Sequence, residues 1–314
     1  MVILNSLQSV LSIILMLSIG YFFSHKGWFN NETSKLFSKV VINIAVPCYM
    51  VSNLLTTYTK DKLIQFASGV FVPFASIIIC YILGIILAKI FNIPSNKRGI
   101  FVSTLSIANT LFVGLPVNTS LFGNKSLPFV FIYFLGNISL FWTIGAFCLA
   151  KDGGDKKVHL FSSENLKNLF SPPLCGFIAA IILILLQITL PKCVMDTCKY
   201  MGNLVTPLSM LYIGIIIYNI DIKEIKWDKS LTLITIGRFI VSPLIVFLMC
   251  SFLHLPILME KVFIIQSGMP AMSITSVLSE ASGGDYKYAA VVTTMTTLAT
   301  LIFIPIYIVL LSNL

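Results

Sequence analysis

Apolar runs of about twenty residues, each long enough to cross a bilayer, follow one another along the chain with short polar connections between them. They fall at about 7–24, 36–55, 63–91, 99–121, 127–150, 170–190, 200–220, 231–253, 261–280 and 288–311. One markedly polar stretch, 151–167, carries Lys-Asp-Gly-Gly-Asp-Lys-Lys and divides the chain into a first half, 1–150, a linker, 151–168, and a second half, 169–314. Each half then holds five spans. Because five is odd, two related halves must enter the membrane in opposite orientations.

Two kinds of landmark recur in that order. Gly114-Leu115-Pro116 interrupts the fourth run, and Gly268-Met269-Pro270 the ninth. Pro47 with Met50 lies in the second run, and Pro207 with Met210 in the seventh. The separations are similar, 69 residues from Pro47 to Pro116 and 63 from Pro207 to Pro270. Pro and Gly are frequent in membrane helices in any case, but matched order and spacing point to an inverted repeat. The predicted fold is an all-α integral membrane protein of ten transmembrane helices, a five-plus-five inverted repeat with helices four and nine broken and crossing.

Proline lacks an amide hydrogen and its ring clashes with the preceding turn, so each break frees backbone groups at membrane depth. Half-helix N-termini offer amides and the positive end of a dipole to an anion, while C-terminal carbonyls suit a cation or a water. Breaks in matching positions of two halves mark the substrate site of a secondary transporter. Asn109, seven residues before Pro116, and Gln266, four before Pro270, can orient a carboxylate without titrating; interhelical hydrogen bonding would serve equally well as a reason for either. Pro47, Pro116, Pro207 and Pro270 are the expected hinges. Asn43, Asn118, Asn137 and Asn203 read as packing or interfacial residues.

Composition agrees. Hydrophobic residues make up 57% and charged residues 11%, too little polar surface for a water-soluble core of 314 residues. The net charge of +9 is scattered singly through connections, which argues against nucleic acid and for membrane topology. Alternate connections carry 14 Lys and Arg against 6 in the opposite set. The positive-inside rule puts the 151–167 connection in the cytoplasm and both termini outside a plasma membrane. The apolar run at 7–23 lacks a basic lead and a small-residue cleavage site, so it reads as the first span. Cys193 and Cys198 share one connection where a disulfide can form; the other five cysteines lie in apolar runs.

No Asp or Glu falls clearly in mid-membrane, and nothing has the spacing of a metal centre, a cofactor site or a nucleophile with its base, so an enzyme is not expected. Arg238, seven residues into the eighth run, either snorkels to the cytoplasmic headgroups or draws an anion inwards. Thr293, Thr294, Thr296, Thr297 and Thr300 put hydroxyls along one face, which serves tight packing or a sodium site. Transport by the anion's own gradient and the membrane potential fits this census.

Asn109-Thr110-Leu111-Phe112-Val113-Gly114-Leu115-Pro116 resembles the fourth-helix motif of the auxin efflux carrier family, which includes plant auxin carriers and bacterial malate- or malonate-type permeases. Ala45-Val46-Pro47, Gly237-Arg238-Phe239 with Ser242-Pro243, and Gln266 to Pro270 extend the likeness over most of the chain. The resemblance implies a fold similar to the bile-acid/sodium symporters, with helices one, two, six and seven as scaffold and the others as a transport domain that moves like an elevator. It also implies that Asn109 and the crossing at Pro116 and Pro270 contact a carboxylate, with Val46 near the ligand, and that the scaffold can pair two copies. Where plant carriers open their sixth helix with Asn-Pro-Asn, this chain has Ser171-Pro172-Pro173, which argues against auxin itself. The expected function is transport of a small organic anion, with an anion channel or a sodium-coupled symporter as alternatives.

Overall fold

The computed structural model describes residues 2–59, 67–152, 170–219 and 227–312. Most of the 151–167 connection, with Lys60 and Lys62, lies outside the described residues. In chain order the α-helices are α1 (Val2–His25), α2 (Asn31–Val40), α3 (Val46–Thr57), α4 (Phe71–Ile90), α5 (Ser95–Ser106), α6 (Leu115–Phe122), α7 (Leu127–Leu140) and α8 (Ala146–Asp152). The second half contributes α9 (Pro172–Leu185), α10 (Lys192–Gly202), α11 (Val205–Tyr218), α12 (Lys229–Ile236), α13 (Ser242–Leu253), α14 (Ile257–Ser267), α15 (Ile274–Ala281) and α16 (Tyr286–Ser312).

Among the described residues six helical stretches are long and apolar enough to cross a membrane, and Leu11–His25 and Pro172–Leu185 are shorter apolar helices. The protein is a multi-pass membrane protein. Polar side chains cap the starts of two of the helices. Asn30 and Thr33 exchange side-chain and main-chain bonds at 3.0 and 3.3 Å to start α2, and Asp228 accepts from the Leu231 amide at 2.8 Å to start α12.

Two of the four expected hinges, Pro47 and Pro116, do not break their helices. Pro47, Pro116 and Pro243 each stand second in an α-helix that directly follows a five-residue π-helical turn: Val41–Ala45, Thr110–Gly114 and Gly237–Val241. The wider turn moves carbonyls clear of the ring and absorbs the missing N–H, so the chain stays helical. Gly114 and Pro116 therefore lie within a continuous helical stretch, which corrects the expected break there. Pro207 is the third residue of α11, just beyond the turn at Asn203-Leu204.

The chain forms two compact units. Unit one comprises Met1–Ser68, Leu111–Phe131 and Phe170–Ile220. In it α1 packs on α11, and α9 on α3, so the first helix of each half lies against the second run of the other. Glycine makes the close approach. A Cβ on Gly214 would collide with the Leu17 carbonyl oxygen, one on Gly20 would fall 2.5 Å from that of Leu211, and one on Gly176 2.6 Å from the Pro47 Cα. Cys193 and Cys198 lie on α10 rather than in a loop, and all seven cysteines are free thiols. Five residues along one helix turn those two about 140° apart, which is why they do not pair.

Unit two comprises Gly69–Thr110, Ile132–Leu169 and Asp221–Leu314. Here α5 is enclosed by α4, α8, α12 and α16, and α14 packs on α13. The Asp152 carboxylate ties α8 to α5 by accepting from the Gly99 and Ile100 amides at 2.7 and 2.9 Å.

Candidate functional site

Two helices stop in the middle of unit two. In α5 the hydroxyls of Thr104 and Ser106 donate back to Ile100 and Val102 carbonyls at 2.7 and 2.8 Å, and the chain turns extended at Ile107. On the other side, α14 ends at Ser267 and Pro270 interrupts the backbone ladder before α15 begins. The break in the first half is thus Ile107-Ala108-Asn109, upstream of Gly114-Leu115-Pro116. The break in the second half is the expected Gly268-Met269-Pro270, followed by Ala271, Met272 and Ser273.

The two extended segments cross as an antiparallel bridge between Ala108 and Ala271, and the Asn109 amide donates to the Pro270 carbonyl at 2.7 Å. Small side chains allow that approach; both alanines are buried. Neighbouring helices then take up the backbone groups that the breaks set free, as membrane depth demands. From α7, the Asn137 carboxamide accepts from the Ala108 N–H and donates to its carbonyl, both at 2.9 Å. From α16, the Thr296 hydroxyl accepts from the Ala271 N–H at 3.1 Å. Gly268 gives α16 its place, since a Cβ there would sit 2.7 Å from the Tyr307 Cζ.

Arg238 lies on the negative side of both breaks. Its guanidinium is fully buried and donates to three carbonyls: Nη1 to Leu105 at 2.9 Å, Nη2 to Ser267 at 2.8 Å and Nε to Met269 at 2.8 Å. It does not reach a surface, which corrects the expected snorkelling, and each of its three guanidinium nitrogens donates to a carbonyl. The π-helical turn Gly237–Val241 carries it, and the Tyr307 hydroxyl donates to the next carbonyl, that of Phe239, at 2.7 Å.

At the opposite ends of the breaks helix resumes at Thr110 and Ile274. Asn109 Nδ2 donates to the Ser273 hydroxyl at 3.3 Å. Gln266 is buried and donates from Nε2 to the Thr110 carbonyl at 3.4 Å. Its Oε1 takes no hydrogen bond from the described residues, and neither does the buried Thr275 hydroxyl one residue into α15. Buried polar atoms without partners are costly, and these two lie in the segments that flank the second break.

Asn109, Gln266, Gly268, Pro270 and Arg238 thus gather in unit two. Val46, Gly114, Pro116, Pro47 and Pro207 belong to unit one. Of the threonine stripe, Thr293, Thr296, Thr297 and Thr300 donate to carbonyls of their own helix, three or four residues back. Sequence reasoning missed Asn137 and Thr296 as supports of the breaks, and Ser273 as Asn109's partner. Their only signal was polarity within apolar runs.

Residues 5–308 match the family described as membrane transport protein, that of the auxin efflux carriers. The chain belongs to this family. It is a membrane transporter, and the family is not one of enzymes. An uncharacterized transporter of Methanocaldococcus jannaschii is 27% identical over 306 residues, 95% of this chain and 96% of that relative. An uncharacterized transporter of Methanothermobacter thermautotrophicus is 25% identical over 316 residues, 98% of this chain and 99% of its own.

Proposed function

We propose that this transporter is a secondary carrier that moves a small organic anion across the plasma membrane, the anion binding where the two breaks cross. The crossing at Ala108 and Ala271 carries the reading. It directs the helix starts at Thr110 and Ile274 toward a ligand, and such starts attract negative charge by up to about 2 kcal/mol when partly buried. Asn109 and Ser273 supply donors beside it. Among the described residues Arg238 is the only buried Lys, Arg, Asp or Glu, and it is committed to carbonyls, so anion recognition falls to dipoles and neutral side chains. The vacant acceptor on Gln266 favours an anion that brings a hydroxyl or N–H of its own.

Unit two is then the body that carries the anion, moving in the manner of an elevator, and unit one the scaffold. The exchange of first and second runs in unit one, α1 on α11 and α9 on α3, supports an inverted repeat. The scaffold is also the part that would pair two copies.

Purified protein screened by thermal shift against mono- and dicarboxylates, with and without hydroxyl groups, tests the reading. A carboxylate that stabilises the wild type should lose at least about tenfold in affinity, some 1.4 kcal/mol, in Asn109→Ala and Thr275→Val. Equal stabilisation of wild type and both variants would remove the crossing as the site.

A further inference from the structure

Arg238 presents an unusual balance of charge. It is wholly buried, and its bonds run to the main chain at the C-terminal ends of α5 and α14; no ion pair to it occurs among the described residues. An unpaired buried charge costs several kcal/mol, so something in the fold must offset it. Two helix C-termini do so. Each carries about half a negative charge, and two together match one guanidinium. The three carbonyls of Leu105, Ser267 and Met269 form the cage of oxygens that a free alkali cation would otherwise fill at such helix ends.

We infer that Arg238 is a resident cation, fixed in the chain, which holds the two breaks together and removes any need for a bound sodium ion at the crossing. Its three nitrogens donate to carbonyls at the end of α5 and at the end of α14 and just beyond it, so one side chain sets their register. With both C-terminal ends neutralised, the helix starts at Thr110 and Ile274 keep their positive character for the anion. This last consequence for transport rests on the crossing being the substrate site; the filling of the carbonyl cage does not.

The test uses the full-length protein in detergent without any organic anion, so that its outcome is separate from the fate of the proposed function. Unfolding temperatures are measured in sodium, choline and guanidinium chlorides at equal ionic strength, with guanidinium at about 10 mM, far below denaturing concentrations. Wild type and Arg238→Lys, which keep the charge, should melt within about 1 °C in all three. Arg238→Gln and Arg238→Ala should melt several degrees lower in choline and recover in sodium or guanidinium, saturably, as mass action requires of a cation entering the emptied cage. Recovery by guanidinium but not by equimolar urea would separate charge from hydrogen bonding. A saturable sodium response in the wild type would overturn the inference, as would Gln and Lys variants that behave alike in the three salts.

Discussion

Asn137 grips both sides of a single residue, Ala108, accepting from its N–H and donating to its carbonyl at 2.9 Å each. A carboxamide is the side chain able to do so, because it carries one acceptor and one donor in the spacing of a backbone edge. It replaces the strand neighbour that an isolated extended residue inside a helical protein lacks.

Asn137→Ala would leave two buried main-chain groups unpaired, and the expected loss is about 2–4 kcal/mol. Asn137→Asp, which retains an acceptor but no donor when ionised, should not restore it. Thermal unfolding in detergent measures both, and an alanine variant as stable as the wild type would show that the break needs no such support.

Gly268→Ala places a methyl group against the Tyr307 ring, and overpacking of this kind costs about 1–3 kcal/mol. Trimming the ring in Gly268→Ala/Tyr307→Leu should recover part of that loss, less the Tyr307 bond to Phe239. A double-mutant cycle reads the coupling. Strict additivity would mean that the two residues are not in contact.

Gly214→Ala should be as damaging, within about 1–3 kcal/mol, because the new Cβ meets backbone of α1 rather than a side chain that can turn away. Gly27→Ala, where nothing lies within 4 Å although φ is +76°, serves as the comparison and should cost only backbone strain of about 1 kcal/mol. A Gly214→Ala variant as stable as the wild type would contradict the close packing of α1 on α11.

We propose that the chain end at Leu314 faces outward, so a reporter enzyme fused there should be active on the outer face, as the excess of Lys and Arg in alternate connections favours. Activity on the cytoplasmic face would reverse the orientation proposed here for every span.

Apolar runs and their spacing were enough to establish a multi-pass helical membrane protein, since a chain in lipid must satisfy its backbone within each segment and leaves that demand visible as length. Gly268-Met269-Pro270 was legible as a break for the same reason: proline has no hydrogen to offer. Gly114-Leu115-Pro116 looked alike and was not a break, because a π-helical turn ahead of Pro116 absorbs the same defect. Local sequence does not distinguish the two outcomes; packing does. Only the tertiary structure brought Asn137 to Ala108, Thr296 to Ala271 and Arg238 to the carbonyls of Leu105, Ser267 and Met269, the first more than 150 residues from the other two in the chain. Those contacts depend on where separate helices lie in space, and an amide, a hydroxyl or a guanidinium shows its partner only once a neighbouring backbone has been left unpaired beside it.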